Sequence, residues 1–131
     1  MYFTKTKFKN AMFCPTTLNY VDKDNYKTSM DENAFLKGIA EGGYQVEYLA
    51  KSYFPDGIDL SDLSLEDNVK ETKRLISENE NIVIFEPCFI INNFLVRCDI
   101  LEKKDYELHI YEVKAKAFDF NAGEMEILKI R

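Results

Sequence analysis

The chain has 131 residues, 46% of them hydrophobic and 14% aromatic, which is enough to bury one domain-sized core and too many for a disordered segment. Its net charge of -6 and pI near 4.9 exclude a broad basic footprint for nucleic acid, though not a local site where metal ions offset carboxylates. The N-terminal MYFTKTKFKNAMF lacks the apolar stretch of a signal peptide, and no apolar run is long enough to cross a bilayer.

Three cysteines, Cys14, Cys88 and Cys98, show no paired spacing. An odd, scattered set reads as reduced thiols in a cytoplasmic protein and argues against a zinc or iron–sulfur site. Cys88 and Cys98 fall in strand-like runs and are expected in the core.

Thr4 or Thr6 can cap a short helix through Lys7–Phe13, and Pro15 suits the first turn of a second one over Thr16–Tyr20. Val21–Ser29 is polar and reads as a loop. Ser29 or Asp31 can cap a longer helix whose apolar positions Phe35, Ile39, Val46, Leu49 and Ala50 keep helical spacing up to Phe54. Gly42-Gly43 inside it costs about 1 kcal/mol per glycine, so a break or a close backbone approach is expected there. Pro55-Asp56-Gly57 ends the element. Ser61 or Ser64 starts the next helix, through Val69, Leu75 and Ile76; SLED, Ser64 to Asp67, resembles a capping box with Asp in place of Glu.

Alternating apolar and polar residues predict strands over Ile82–Ile91, Phe94–Leu101 and Glu107–Lys114. Asn92-Asn93 suits a type I′ turn, because Asn tolerates positive φ. Lys103-Lys104-Asp105 supplies the second turn. Glu124–Ile130 reads as one more strand or a short helix. The expected fold is α/β of the α+β kind, with helices packed on a mixed, mostly antiparallel sheet in a single domain over residues 1–131.

These turns set a register. Ile91 faces Phe94, Phe89 faces Val96 and Glu86 faces Asp99. With the second turn centred between Asp105 and Tyr106, Leu101 faces Ile110 and Asp99 faces Glu112. Opposed residues share a face, so Glu86, Asp99 and Glu112 would form one row, flanked by Leu101, Leu108 and Ile110 as buried neighbours. Like charges with Cβ atoms about 5 Å apart destabilise a sheet. A raised pKa, a basic side chain or a divalent cation would relieve the row. Arg97 and Lys114 share the face and can serve. A register shifted by one residue turns the acids to solvent and leaves Glu86 as an edge charge before Pro87.

An Asp ending a strand, a hairpin, and then E-x-K on the next strand, here Asp99 followed by Glu112-Val113-Lys114, resembles the PD-(D/E)XK nuclease superfamily. The ordered blocks TKTKFKNAMFCPTTLNY, GGYQVEYLAKSYFPDG, IFEPCF, FLVRCDIL and YEVKAKAFD, from Thr4 to about Asp119, are similar to the N-terminal part of an uncharacterised RecB-like family related to the CRISPR-associated exonucleases. The resemblance implies a restriction-endonuclease-like core and Mg²⁺- or Mn²⁺-dependent hydrolysis of DNA. It implies that Asp99, Glu112 and the Val113 carbonyl hold the metal, and that Lys114 positions or deprotonates the attacking water. Hard oxygen ligands suit such ions. RecB-like relatives add a helix residue four after a glycine. Glu47, four after Gly43, matches that position, often a His, from which it is expected to reach the metal from above the sheet, as Glu86 would from the row; its alternative reading is an exposed helix charge. Relatives continue past the E-x-K strand into a further helix, so the chain is expected to be a fragment or a minimal version. The cluster cysteines of the CRISPR-associated branch have no counterpart here beyond Cys14.

His109 is expected to point away from the acids, across from Glu102. Lys5, Lys7 and Lys9 with Phe3, Phe8 and Phe13 read either as a DNA-facing helix or as a solvated amphipathic one. Lys116 is a phosphate contact or a solvated charge. Gly42-Gly43 lacks the Gly-Lys-Ser/Thr of a phosphate loop. Three functional readings remain: a nuclease domain, a catalytically inactive nuclease-like module that binds nucleic acid or a partner protein, and a plain structural domain.

Overall fold

A computed structural model of the chain describes residues 2–21, 23 and 34–114. Strand β1 (Phe3–Thr4) leads directly into helix α1 (Lys5–Phe13). Thr4 is the cap, its hydroxyl oxygen accepting the Lys7 amide at 3.3 Å. Pro15–Asn19 forms a 3₁₀ helix, held to α1 by the Thr17 hydroxyl, which donates to the Asn10 and Cys14 carbonyls. The expected caps Ser29 and Asp31, most of the Val21–Ser29 loop, Lys116 and Glu124–Ile130 lie outside the described residues.

Helix α2 (Ala34–Ser52) runs without interruption through Gly42-Gly43. Among the described residues a Cβ added at either glycine would meet nothing within 4 Å, so neither the expected break nor a close approach is seen there. Close approach happens instead at Gly57, where a Cβ would run into the Phe85 ring. Strand β2 (Ile58–Asp59) follows. Helix α3 (Leu65–Glu78) begins at Ser64, whose hydroxyl accepts the Asp67 amide and donates to the Asp67 carboxylate at 2.7 Å. Glu66 and Asp67 in its first turn favour the positive end of the helix dipole. At its other end Lys103 donates to the Ile76 and Asn79 carbonyls.

The expected long strands are each broken. The first divides into β3 (Asn81–Phe85) and β4 (Cys88–Ile91), the second into β5 (Phe94–Arg97) and β6 (Ile100–Lys104). The breaks face each other: Glu86 has φ 57, and Pro87 has no amide to give to a ladder. Yet one register runs from Ile91↔Phe94 to Asn81↔Lys104. Two bonds bridge the gap, Glu86 N–H to the Asp99 carbonyl at 3.0 Å and Cys98 N–H to the Pro87 carbonyl at 3.1 Å. The hairpin is therefore one bent ribbon shared by two sheets. Its turn, Asn92-Asn93, has φ 48 and 69, both positive as a type I′ turn requires. Strand β7 (Glu107–Tyr111) pairs with β6 in the expected register, Leu101↔Ile110. The turn is tighter than expected, because Lys103 and Lys104 stay in β6 and Asp105-Tyr106 reverses the chain.

Among the described residues the chain is thus an α+β structure with three α-helices and two mixed sheets, ordered β1-β5-β4 and β2-β3-β6-β7. The β1–β5 and β2–β3 pairs are parallel. Side chains alternate across β3. Ile84 joins Leu60, Leu75 and Leu101 under α3, while Phe85 joins Ala50 and Ile100 under the end of α2. Cys88 and Cys98 are buried and free, as core residues should be. Leu108 and Ile110, expected to be buried, are each 53% exposed, because among the described residues the α3 core extends only from β3 to β6 and β7 is an edge strand.

The bend is held by one wholly buried side chain. Asn68 of α3 donates to the Leu60 and Glu86 carbonyls at 2.9 and 3.0 Å and accepts from Cys88 N–H at 2.8 Å and the Thr72 hydroxyl at 3.1 Å. Asn68→Ala would take the amide donor from the buried Glu86 carbonyl and strip one bond each from the Cys88 amide and the Leu60 carbonyl, which keep the Thr72 hydroxyl and the Leu63 amide, at about 1–3 kcal/mol for a group left unpaired before relaxation. A net loss of about 2–4 kcal/mol is expected in urea unfolding. A loss below about 1 kcal/mol, the size of an ordinary surface substitution, contradicts this role for Asn68.

Candidate functional site

The break that divides the hairpin also gathers the acids. Glu86 lies on one side of it and Asp99 on the other, joined by the Glu86 amide. The regular β6–β7 ladder ends at Ile100↔Tyr111. One step further on, Asp99 Oδ2 accepts the Val113 amide at 2.5 Å. Glu112, between Tyr111 and Val113, is reached by two ammonium groups on the same oxygen: Lys114 Nζ and Lys5 Nζ each lie 2.5 Å from Oε1. Lys114 also donates to the Val113 carbonyl at 3.2 Å. Asp99, Glu112, Val113 and Lys114 are therefore brought together.

Glu86 feels this concentration of charge. Its carboxyl is pushed up to about 7, first by burial and next by the field of Glu47, with Asp99 adding and Lys51 and Arg97 opposing. Its side chain is 15% exposed, and Arg97 stands 3.9 Å away, more firmly committed to the Cys88 sulfur at 3.2 Å. Glu47 itself is paired with Lys51 at 2.8 Å. Lys51 also binds Asp59 at 3.0 Å and lies 5.5 Å above the Phe85 ring. Glu47 acts on Glu86 through its field, from α2, while its own carboxylate is engaged elsewhere.

Glu112 is held below the usual carboxylate range, chiefly by the Lys114 hydrogen bond and then by that of Lys5. Lys5 is raised in turn, mainly by its Glu112 hydrogen bond and further by the fields of Glu112 and Asp99, with desolvation opposing. Burial, with the nearby Asp99 carboxylate second, pushes the Cys98 thiol up. His109 faces away from the acids as expected, paired across the ladder with Glu102 and 3.3 Å from Glu107.

The meeting of Lys5 with Glu112 and the bracing role of Asn68 were not legible in the sequence. Lys5 is 107 positions from Glu112, and no periodicity links them. It reads as one of three helix lysines. Asn68 reads as a polar helix residue. A faint signal existed in its position four before Thr72, which puts both on one helix face.

Oxygen-rich carboxylate donors suit a hard divalent cation in kind. Their present engagement is different: among the described residues no three His, Cys, Asp or Glu side chains stand grouped to hold a metal. Asp99 is tied to an amide and Glu112 to two lysines. A cavity of about 470 Å³ lies elsewhere, lined by Phe54, Ile58, Val83 and Lys104 among others and by none of Glu47, Glu86, Asp99 and Glu112. Among the described residues no helix is long and apolar enough to cross a membrane.

No family model, curated protein or solved structure matches this chain.

Glu86 makes stability depend on pH. An acid whose folded pKa exceeds its unfolded value binds its proton more tightly when folded, so stability falls as pH rises. For Glu86 the window runs from 4.5 to about 7. In chelator-treated protein, the fall in thermal midpoint between these limits should be smaller for Glu86→Gln than for wild type. Equal falls would mean that Glu86 titrates normally.

Proposed function

We propose that this chain carries a metal-dependent nuclease site of the PD-(D/E)XK kind, acting on phosphodiester bonds of DNA on a restriction-endonuclease-like core. The observation that supports the reading most is the meeting of Asp99 with the Glu112-Val113-Lys114 segment at the end of one hairpin, through the Asp99–Val113 and Glu112–Lys114 contacts. Two antiparallel strands make a rigid base for such groups.

In this reading Asp99, Glu112 and the Val113 carbonyl would hold Mg²⁺ or Mn²⁺, with Glu86 beside them and Glu47 shaping the field from α2. The ion would supply Lewis acidity at the scissile phosphate. Lys114, whose side chain is 66% exposed, is free to swing between Glu112 and a substrate oxygen. There it would orient the attacking water or steady the charge that develops on the phosphate. Lys114 at Glu112 and Arg97 beside Glu86 offset part of the local acidity, which eases the repulsion of a polyanion by a chain of net charge -6.

A second reading, a nuclease-like module that binds without cleaving, draws support from the two lysines already occupying Glu112. Oligonucleotide cleavage in Mn²⁺ separates the two. Asp99→Ala and Lys114→Ala should each reduce the rate by about 100-fold or more. Wild-type protein that binds Mn²⁺ calorimetrically, loses that binding in Asp99→Ala, and never cleaves would favour the binding module. Activity untouched by both substitutions would defeat the nuclease site as drawn.

A further inference from the structure

Glu112 is held by two cations, and the reading above uses only one. The other, Lys5, is delivered with some precision. β1 pairs with β5 through Phe3↔Phe94 and Thr4↔Leu95, and Phe3 N–H donates to the Asn93 carbonyl at 2.8 Å. The Phe3 ring packs edge-on against Phe94 and Phe8, with centroids 5.7 and 6.5 Å apart. Thr4 then turns the chain into α1 at its cap. The backbone at Lys5 is thus anchored to the bent hairpin, and its side chain crosses from the three-stranded sheet to the end of β7. Its ammonium meets the same Glu112 oxygen that Lys114 holds.

A carboxylate oxygen has two lone pairs. With both ammonium groups on Oε1, that oxygen has no acceptor site left for a further cation. Two unit charges there also match the charge that a divalent ion would bring.

We infer that Lys5 is a positioning residue of the proposed site: it orients and neutralises Glu112 in the resting protein and competes with a divalent cation for that carboxylate, blocking Oε1 and setting positive charge beside Oε2. The inference rests on the metal-site reading of Asp99 and Glu112. It adds a competitor supplied by the N-terminal β1–α1 unit. Metal uptake then takes place against a protein cation already paired with Glu112, instead of in a bare acidic hollow, and its strength depends on Lys5 as well as on the carboxylates.

Calorimetric titration of the full chain with Mn²⁺, without nucleic acid, tests this. Lys5→Met should tighten Mn²⁺ binding by about two- to fivefold, the range an exposed ion pair can contribute. Lys5→Arg, which keeps the charge and the reach, should stay near wild type. Lys9→Met removes the same charge from the same helix and should change affinity far less. The gain in Lys5→Met should shrink at raised ionic strength. Circular dichroism checks that each variant is folded, which the exposure of Lys5 favours.

Equal effects of Lys5→Met and Lys9→Met would reduce the result to net charge and overturn the inference. So would unchanged or weaker binding in Lys5→Met. If wild type binds Mn²⁺ and Asp99→Ala does not, while Lys5→Met is indifferent, the metal site stands and the role of Lys5 falls. If neither wild type nor Lys5→Met binds Mn²⁺, both fall together.

Discussion

A buried amide holds the structure's main irregularity in place. At Glu86 a residue with a side chain adopts left-handed backbone geometry, which costs about 1–2 kcal/mol. Pro87 follows and removes a donor from the ladder. Left alone, such a junction would fray. Asn68 prevents this by accepting the Cys88 amide beyond the break and donating to the Glu86 carbonyl within it. Its other donor bond goes to Leu60, ahead of α3. One side chain therefore ties the approach to α3, α3 itself and the two segments, β3 and β4, of the broken first strand. Thr72 completes the arrangement, with its hydroxyl donating to Asn68 Oδ1. Among the described residues no buried side-chain nitrogen or oxygen lacks a partner, the condition under which a polar core rigidifies instead of weakening.

That bend has an electrostatic consequence. An unbroken ladder would carry Glu86, Asp99 and Glu112 as a plain row of like charges. The break gives each acid a different environment. Glu86 is covered and held toward its neutral form. Asp99 is turned into a backbone acceptor for Val113. Glu112 is left at the rim with two lysines. Three ways of relieving repulsion thus operate side by side, namely desolvation, hydrogen bonding and ion pairing. The pairs at Glu112 are solvent-exposed and weak individually, so the resting arrangement can be exchanged without dismantling the core beneath it.

The two sheets divide the work. The four-stranded sheet is covered by α3 on one face and by the end of α2 on the other, and it carries most of the buried apolar surface. Each fully buried Ile or Leu there contributes about 1.5–3 kcal/mol. The three-stranded sheet is thinner and bears the N-terminal β1–α1 unit. Its importance lies in reach, because it brings Lys5 to acids that belong to the other sheet. Among the described residues β7 is an edge of the main sheet, with Leu108 and Ile110 exposed.

Much of this was legible locally. Thr4 and Ser64 announce helix starts because a hydroxyl at a cap satisfies an otherwise orphaned amide. Asn92-Asn93 announces a tight turn because Asn accepts positive φ. Once the turn is known, every pairing along the hairpin follows, which is why Glu86 could be set opposite Asp99 from the letters alone. The sequence by itself determined these caps, turns and registers, since each depends on residues within a few positions of one another. Only the tertiary structure decided the rest: that Gly42-Gly43 leaves α2 intact, that the hairpin bends at Glu86-Pro87 over Asn68, that Leu108 and Ile110 remain exposed, and that Lys5 closes on Glu112. Those outcomes depend on what packs against each segment from far along the chain, and distance in sequence leaves no periodic trace of contact in space.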